Sequence, residues 1–167
     1  GGRVTNRPTN SLRAIFLAWS PNTAASAAKR TDVLSELIRE VPEVAWELLT
    51  KLLPTWSDIG GVTQKPVFRE YEEEAKEILT YGLVWNCQDI VIEKALSLAG
   101  QDAERWDLLI SKLSNFPKQS FDVTLTALET VLDAAALDIR FKIWDSLRKV
   151  VNRHITYANA DWAFPPE

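Results

Sequence analysis

The chain has 167 residues, of which 46% are apolar and 25% are charged, and this composition excludes extensive disorder. Its net charge of −4 excludes a general electrostatic attraction to nucleic acid or to an acidic membrane surface. The single cysteine, Cys87, excludes an internal disulfide and favours a reducing, cytoplasmic location. No apolar run approaches the ~20 residues that cross a bilayer, so we expect no membrane span.

The two ends of the sequence predict a division into three parts. The chain starts with Gly1-Gly2 and contains no methionine, which is typical of a tag remnant on a fragment of a larger protein. We therefore expect a tag remnant and flexible lead over 1–9 and a single helical domain over 10–158. Residues 159–167 would form a tail towards a further element of the parent protein.

Two helices are expected before residue 42. The first covers 12–19 with Asn10 or Ser11 as its cap, and the second follows a Thr23 cap and reaches Val41. Within the second helix, Thr31-Asp32 offers a further cap at which the helix would break. Its expected core face consists of Ala27, Leu34, Leu37, Ile38 and Val41.

The segment 42–53 has the clearest helical pattern and is predicted to be central to the fold. Pro42 suits a first helical turn, because its missing N–H would be unpaired there in any case. Pro54 ends the helix, because the residue before a proline disfavours the α conformation. One apolar stripe recurs at helical spacing and comprises Ala45, Leu48, Leu49, Leu52 and Leu53.

A long loop and an acidic helix are predicted next. The loop 55–65 contains Gly60-Gly61 and Lys65, but it lacks the spacing of a Walker phosphate-binding loop and has no strand before it. We therefore interpret it as a loop between helices, and a binding role stays open because loops of this length are uncommon. Pro66 begins a helix that reaches Trp85, in which Gly82 would let another helix approach closely. The glutamates of this helix are interpreted as a solvated face rather than a metal site, since no histidine or aspartate lies nearby.

Four more helices are predicted in the second half, and no stretch shows strand alternation. The first covers 89–99, with Asn86 as its cap and Gly100 as its stop, and the second runs from an Asp102 cap to Leu113. The third begins at a Ser120 cap, and its expected inner face consists of Phe121, Leu125, Leu128, Leu132 and Ala135. The fourth runs from an Asp138 cap to Tyr157. The sequence therefore predicts an all-α fold of seven or eight antiparallel helices. We expect either an irregular α-solenoid of the HEAT or TPR kind or a helical bundle.

The last predicted helix, 138–157, has an apolar and a basic face. Its expected inner face consists of Ile143, Trp144, Leu147, Val150, Val151 and His154. The opposite face is basic and solvated, and Arg148, Lys149 and Arg153 form a candidate interaction face.

No catalytic, cofactor or metal site is predicted. Cys87 and His154 are single copies far apart in the chain, and His154 fits a packed position at the rim of the core better than a catalytic base. Zinc would need more Cys or His ligands than the chain has, and no nucleotide-binding motif occurs. We therefore expect no enzyme activity from this chain itself, although the parent protein could carry an enzymatic domain.

Three segments carry a resemblance to known proteins: AIFLAWSPNTAAS, REVPEVAWELLTKLLP and TQKPVFREY. Together they span about Leu12 to Tyr71, and they resemble an α-helical region of large multidomain bacterial proteins of the signalling-ATPase or anti-phage-defence type. The resemblance implies a helical sensor or scaffold region beside nucleotidase or effector domains, with a role in antiviral defence. It implies no catalytic residue in this chain.

Two functions of different class follow from the sequence. The preferred one is a non-catalytic helical scaffold or protein-interaction module, whose partner is another protein or a neighbouring domain of the parent chain. The alternative is weak nucleic-acid binding through the basic helix 138–157. The acidic remainder of the chain and the lack of aromatic readers beside the basic residues argue against this alternative.

Overall fold

A computed structural model describes residues 8–19, 23, 25–55, 78, 80–160 and 163, and in these residues the fold is all-α. The described part contains seven α-helices and no strand, which confirms the predicted fold class. The helices are α1 (Pro8–Phe16), α2 (Ala27–Glu40), α3 (Pro42–Leu52), α4 (Tyr81–Ala99), α5 (Ala103–Lys112), α6 (Lys118–Ala134) and α7 (Leu137–Thr156), with a short 3-10 turn at Leu113–Asn115.

The chain divides into two compact units. Unit 1 comprises Gly1–Leu53 and Ser57–Ile92, and unit 2 comprises Pro54–Trp56 and Glu93–Glu167. Helix α4 contributes residues to both. The single domain over 10–158 and the choice between a solenoid and a bundle stay predictions.

The core of unit 1 is built on α3, as the sequence predicts. Pro42 occupies the first turn, and Ala45, Leu48, Leu49 and Leu52 are all buried. Helices α1 and α2 both pack against α3. The apolar stripe of α3 therefore organises this unit.

The predicted bounds of the first two helices are wrong. Helix α1 begins at Pro8 rather than residue 12, because a proline is well accommodated in a first helical turn, and it ends at Phe16. Helix α2 is capped by Ser26, whose hydroxyl oxygen accepts from the backbone N–H of Lys29 at 3.3 Å. Thr23 instead accepts from Ala25 in a local turn, and α2 continues unbroken to Glu40.

Helix α4 is one continuous helix across the predicted boundary at Asn86. Asn86 lies inside the helix, and Thr80 caps its start by accepting from the backbone N–H of Leu83 at 3.2 Å. Gly82 is exposed, and among the described residues an added Cβ would meet the Thr80 hydroxyl at 3.9 Å. The predicted loop from residue 56 onward and the acidic helix up to residue 77 lie outside the described residues.

Helix α5 begins at the cap that the sequence predicts. The Asp102 carboxylate accepts from the backbone N–H groups of Glu104 and Arg105 at 2.9 and 3.2 Å. Gly100 ends α4 with a φ of +50°, a conformation that favours glycine. Trp106 is buried, and its indole Nε1 donates to the Gly100 carbonyl oxygen at 2.9 Å. The turn and the helix therefore stabilise each other.

The buried face of α6 differs from the predicted one. The helix starts at Lys118, so Ser120 is a buried residue of its first turn rather than the cap. Thr124 and Leu128 continue the buried line, while Phe121 and Leu125 are half-buried. The Thr124 hydroxyl donates to the Ser120 carbonyl oxygen at 2.7 Å, which satisfies a buried polar group inside the helix.

Three arginines cap the carbonyl ends of other helices. Arg13 on α1 donates from Nε to the Lys51 carbonyl oxygen at 2.9 Å, in the last turn of α3. Arg105 on α5 donates from Nη1 to the Leu98 carbonyl oxygen at 2.8 Å, near the end of α4. Arg140 on α7 donates to carbonyl oxygens at the end of α6, as described below. Guanidinium groups thus bind main-chain acceptors that the helices leave unpaired.

Candidate interaction surface on helix α7

Helix α7 is fixed in unit 2 by its inner face and by Arg140. Ala136 occupies the N-cap position, so Asp138 lies in the first turn and is not the predicted cap. The Arg140 guanidinium donates from Nε to the Ala135 carbonyl oxygen at 2.9 Å and from Nη2 to that of Asp133 at 2.8 Å. These bonds tie the start of α7 to the end of α6.

The inner face of α7 packs against α5. Ile143 is fully buried, and Ser146 and His154 are buried on the same side. The Ser146 hydroxyl donates to the Asp107 carboxylate of α5. These contacts fix the rotation of α7 so that the side carrying Ile143 faces α5.

That rotation contradicts part of the predicted inner face. Trp144 is 62% exposed and Val151 is 53% exposed, although both were expected to face the core. Each follows an inner residue, Ile143 or Val150, by one position, which places it about 100° further around the helix. His154 is buried, as predicted.

The exposed apolar residues of α7 form one line, which we call the α7 stripe. Its members are Leu137 (68% exposed), Phe141 (66%), Trp144 (62%), Val151 (53%) and Ile155 (68%), with Arg148 at the position between Trp144 and Val151. The six positions alternate by four and three residues, which is the spacing of a helix face that packs against another helix. Scattered apolar residues on a surface are normal, whereas an aligned series indicates an interaction site.

The predicted basic face lies partly within this stripe and partly beside it. Arg148, Lys149 and Arg153 are all exposed, and only Arg148 belongs to the stripe. At 100° per residue, Lys149 and Arg153 lie roughly 120° and 160° around the helix from the centre of the stripe. Lys149 and Arg153 therefore lie next to each other on one side of α7, while Arg148 lies on the stripe, and the role of the three residues stays a prediction.

Two of these cations share one carboxylate. Arg148 Nη2 lies 2.7 Å from one oxygen of Asp145, and Lys149 Nζ lies 2.8 Å from the other. The Lys149 ammonium, and then the Arg148 guanidinium, hold the pKa of the Asp145 carboxyl below its usual value, and Asp145 raises the pKa of Lys149. Asp145 thus bridges the two cations, and the three formal charges sum to +1.

A second feature of interest is the buried Arg30 in unit 1. The side chain is 95% buried, since its exposed fraction is 5%, and its Nη1 donates to the Ala25 carbonyl oxygen at 2.8 Å. Its Nη2 has no hydrogen-bond acceptor among the described residues. Arg30 borders a cavity of about 20 Å³, which is also lined by Thr31 and Cys87 and has room for about one water molecule.

The two candidate catalytic side chains, Cys87 and His154, lie in different units. Cys87 belongs to unit 1 and His154 to unit 2. Burial, and then the charge of Arg153, lowers the pKa of His154. Within the described ranges, no group of three or more His, Cys, Asp or Glu side chains is placed to hold a metal ion. None of the described helices is both long and apolar enough to cross a bilayer.

Comparisons with protein-family models, curated proteins and solved structures found no match to the chain. The resemblance of the segment from Leu12 to Tyr71 to bacterial sensor regions therefore stays a prediction.

Proposed function

We propose that the chain is a non-catalytic helical module that binds another protein, or a neighbouring domain of a larger bacterial protein, through the α7 stripe. One observation carries this proposal: five large apolar side chains on one line of α7 are each more than half exposed. Leaving such a line in water is unfavourable, at about 25 cal/mol for each Å² of apolar surface. A partner that covers it recovers that free energy.

The use of the cations supports a protein partner over nucleic acid. Arg140 is occupied by the carbonyl groups at the end of α6, and Arg148 and Lys149 are bound to Asp145. Nucleic-acid binding needs cations that are available to phosphate groups and lie along one surface. The bonds of Arg148 and Lys149 to Asp145 work against this alternative.

The wider setting is part of the same proposal. The resemblance over 12–71 supports a sensor or scaffold role in a multidomain protein of the signalling or anti-phage-defence type. The single cysteine supports a cytoplasmic location. In such a protein, catalysis would belong to other domains, and this module would supply recognition or spacing.

Site-specific photo-crosslinking tests the proposal. A photoreactive phenylalanine analogue replaces Trp144 in the stripe, and in a matched control it replaces Val123, which is 48% exposed on α6 and lies outside the stripe. Each purified chain is irradiated in extract of the source organism, and the products are identified by mass spectrometry. We expect a defined protein product from position 144 and none from position 123. Equal labelling from both positions, or none from position 144, would refute the proposal.

A further inference from the structure

A buried cation lies at the N-terminal end of helix α2. Arg30 is the fourth residue of this helix and is only 5% exposed. Its Nη1 donates to the carbonyl oxygen of Ala25, which precedes the helix, so the guanidinium folds back towards the helix start. The other terminal nitrogen, Nη2, belongs to the same planar group and has no hydrogen-bond acceptor among the described residues.

Two positive elements therefore meet in one buried place. The backbone N–H groups of a first helical turn give that end of the helix a partial charge of roughly +0.5, which disfavours a cation there. A buried charge is also unfavourable unless it is paired. Among the described residues, Nη1 of Arg30 has a neutral carbonyl as its acceptor, and no carboxylate forms an ion pair with the guanidinium. An anion beside Nη2 would be attracted both by the guanidinium and by the helix end.

The cavity that Arg30 lines has the size and the chemistry for such an ion. Its volume of about 20 Å³ is the space that one water molecule needs. Thr31 and Cys87 also line it, and a hydroxyl and a thiol can each donate a hydrogen bond. The remaining described lining residues are apolar, among them Leu34 and Leu52, and apolar walls strengthen the attraction between opposite charges.

We propose that this cavity binds one small monovalent anion of the halide class, with chloride as the physiological example, as the counter-ion of Arg30. The volume selects the class, because sulfate, phosphate and carboxylate groups consist of several heavy atoms and exceed the space of one water molecule. A water molecule would satisfy the hydrogen bond of Nη2 and leave the positive charge unpaired. The site lies within unit 1 and is independent of the α7 stripe.

An anion that binds only the folded chain shifts the unfolding equilibrium. With a dissociation constant on the order of 10 mM, chloride at ~0.1 M lowers the equilibrium constant of unfolding about tenfold. Sodium gluconate at the same ionic strength provides the reference, because the cavity cannot hold its bulky organic anion. Bromide should act as chloride does. Sulfate should stabilise every variant to the same degree, because it acts by exclusion from the whole protein surface.

Urea unfolding of two matched variants in chloride and in gluconate tests the role of Arg30. Arg30→Met removes the buried cation, and Arg39→Met removes a cation of the same helix whose side chain is 68% exposed. We expect the unaltered chain and Arg39→Met to gain about tenfold in chloride, whereas Arg30→Met unfolds identically in both salts. In gluconate, Arg30→Met should be at least as stable as the unaltered chain, because it replaces an unpaired buried charge by an apolar side chain. An equal chloride effect in Arg30→Met would overturn the inference.

Line broadening of the chloride NMR signal tests binding without unfolding. We expect the unaltered chain to broaden the signal, bromide to reverse the broadening, and Arg30→Met to lose it. Ala27→Val adds two carbon atoms at another residue that lines the cavity and leaves Arg30 in place, so it should lose the broadening as well, and it decides the test if Arg30→Met does not fold. Equal unfolding of the unaltered chain in both salts, with no broadening beyond that of Ala27→Val, would overturn the inference and leave water as the partner of Nη2.

Discussion

Replacing Leu49 by alanine should destabilise the chain by about 3–4 kcal/mol. Leu49 has 0% exposure and lies at the centre of the α3 stripe. The change deletes three buried carbon groups at about 0.8 kcal/mol each, or roughly 2.4 kcal/mol of transfer free energy. If roughly 40 Å³ of the emptied space persists, the cavity adds about 1 kcal/mol at ~24 cal/mol per Å³.

Two other residues of α3 provide graded comparisons. Leu52 is 8% exposed and borders the cavity of about 20 Å³, so it has fewer packing contacts to lose, and Leu52→Ala should cost about 2–3 kcal/mol. Val44 is 48% exposed, and Val44→Ala should change stability by less than about 0.5 kcal/mol. The expected order of destabilisation is therefore Leu49, Leu52, Val44.

Urea unfolding followed by circular dichroism at 222 nm measures all three variants. The denaturation midpoint should fall while the slope stays unchanged. In a thermal scan, Leu49→Ala should lower Tm by about 10 °C, at roughly 2–4 °C for each kcal/mol in a chain of this size. If Leu49→Ala unfolds together with Val44→Ala, the α3 stripe is not the packing centre of unit 1 and the reasoning is refuted.

Three further predictions concern a cap, a titration and a partner class. Asp102→Ala should cost about 1 kcal/mol in urea unfolding, because two backbone N–H groups lose their acceptor, while Asp102→Asn should retain most of the stability. Folding lowers the pKa of His154 below its usual value of 6.5, so its contribution to stability is complete above pH 6.5 and is lost as the pH falls from there through the folded-state pKa. His154→Gln should remove this part of the pH dependence, and an unchanged pH profile would contradict the prediction. In fluorescence anisotropy, the chain should bind labelled DNA or RNA with a dissociation constant no lower than about 10⁻⁴ M at physiological salt. Micromolar binding that disappears in the triple variant Arg148→Glu, Lys149→Glu, Arg153→Glu would overturn the preference for a protein partner.

Features that depend on neighbouring residues in sequence could be predicted, and the predictions for α3 and for the Asp102 cap are confirmed. A proline at a helix start and a carboxylate at an N-cap act through local backbone geometry, so both features can be predicted from the sequence alone. The same rule applied to Pro8 would have placed the start of α1 correctly. Asn86 was misassigned because a cap-forming residue is also tolerated inside a helix when its neighbours favour helix.

The candidate site could be predicted only in part, because α7 carries apolar residues on more than one side. The sequence shows both lines, one through Ile143 and one through Trp144, and both have helical spacing. Which line is buried depends on tertiary contacts such as the bond from Ser146 to Asp107. The spacing of four and three residues from Leu137 onward can be seen in the sequence, but the exposure of the side chains at these positions cannot.

The arginine caps also affect how this fold would change during evolution. Arg13 bonds to the main-chain oxygen of residue 51, and Arg105 to that of residue 98. Any amino acid at 51 or 98 supplies the same oxygen, so a substitution there leaves the acceptor in place. These hydrogen bonds therefore constrain the arginine position of each contact and leave the position of the carbonyl group free to vary. Correlated substitutions between the two positions would not reveal the contact. Lysine would be a poor replacement for Arg140, which reaches two carbonyl oxygens with separate nitrogens of one planar group.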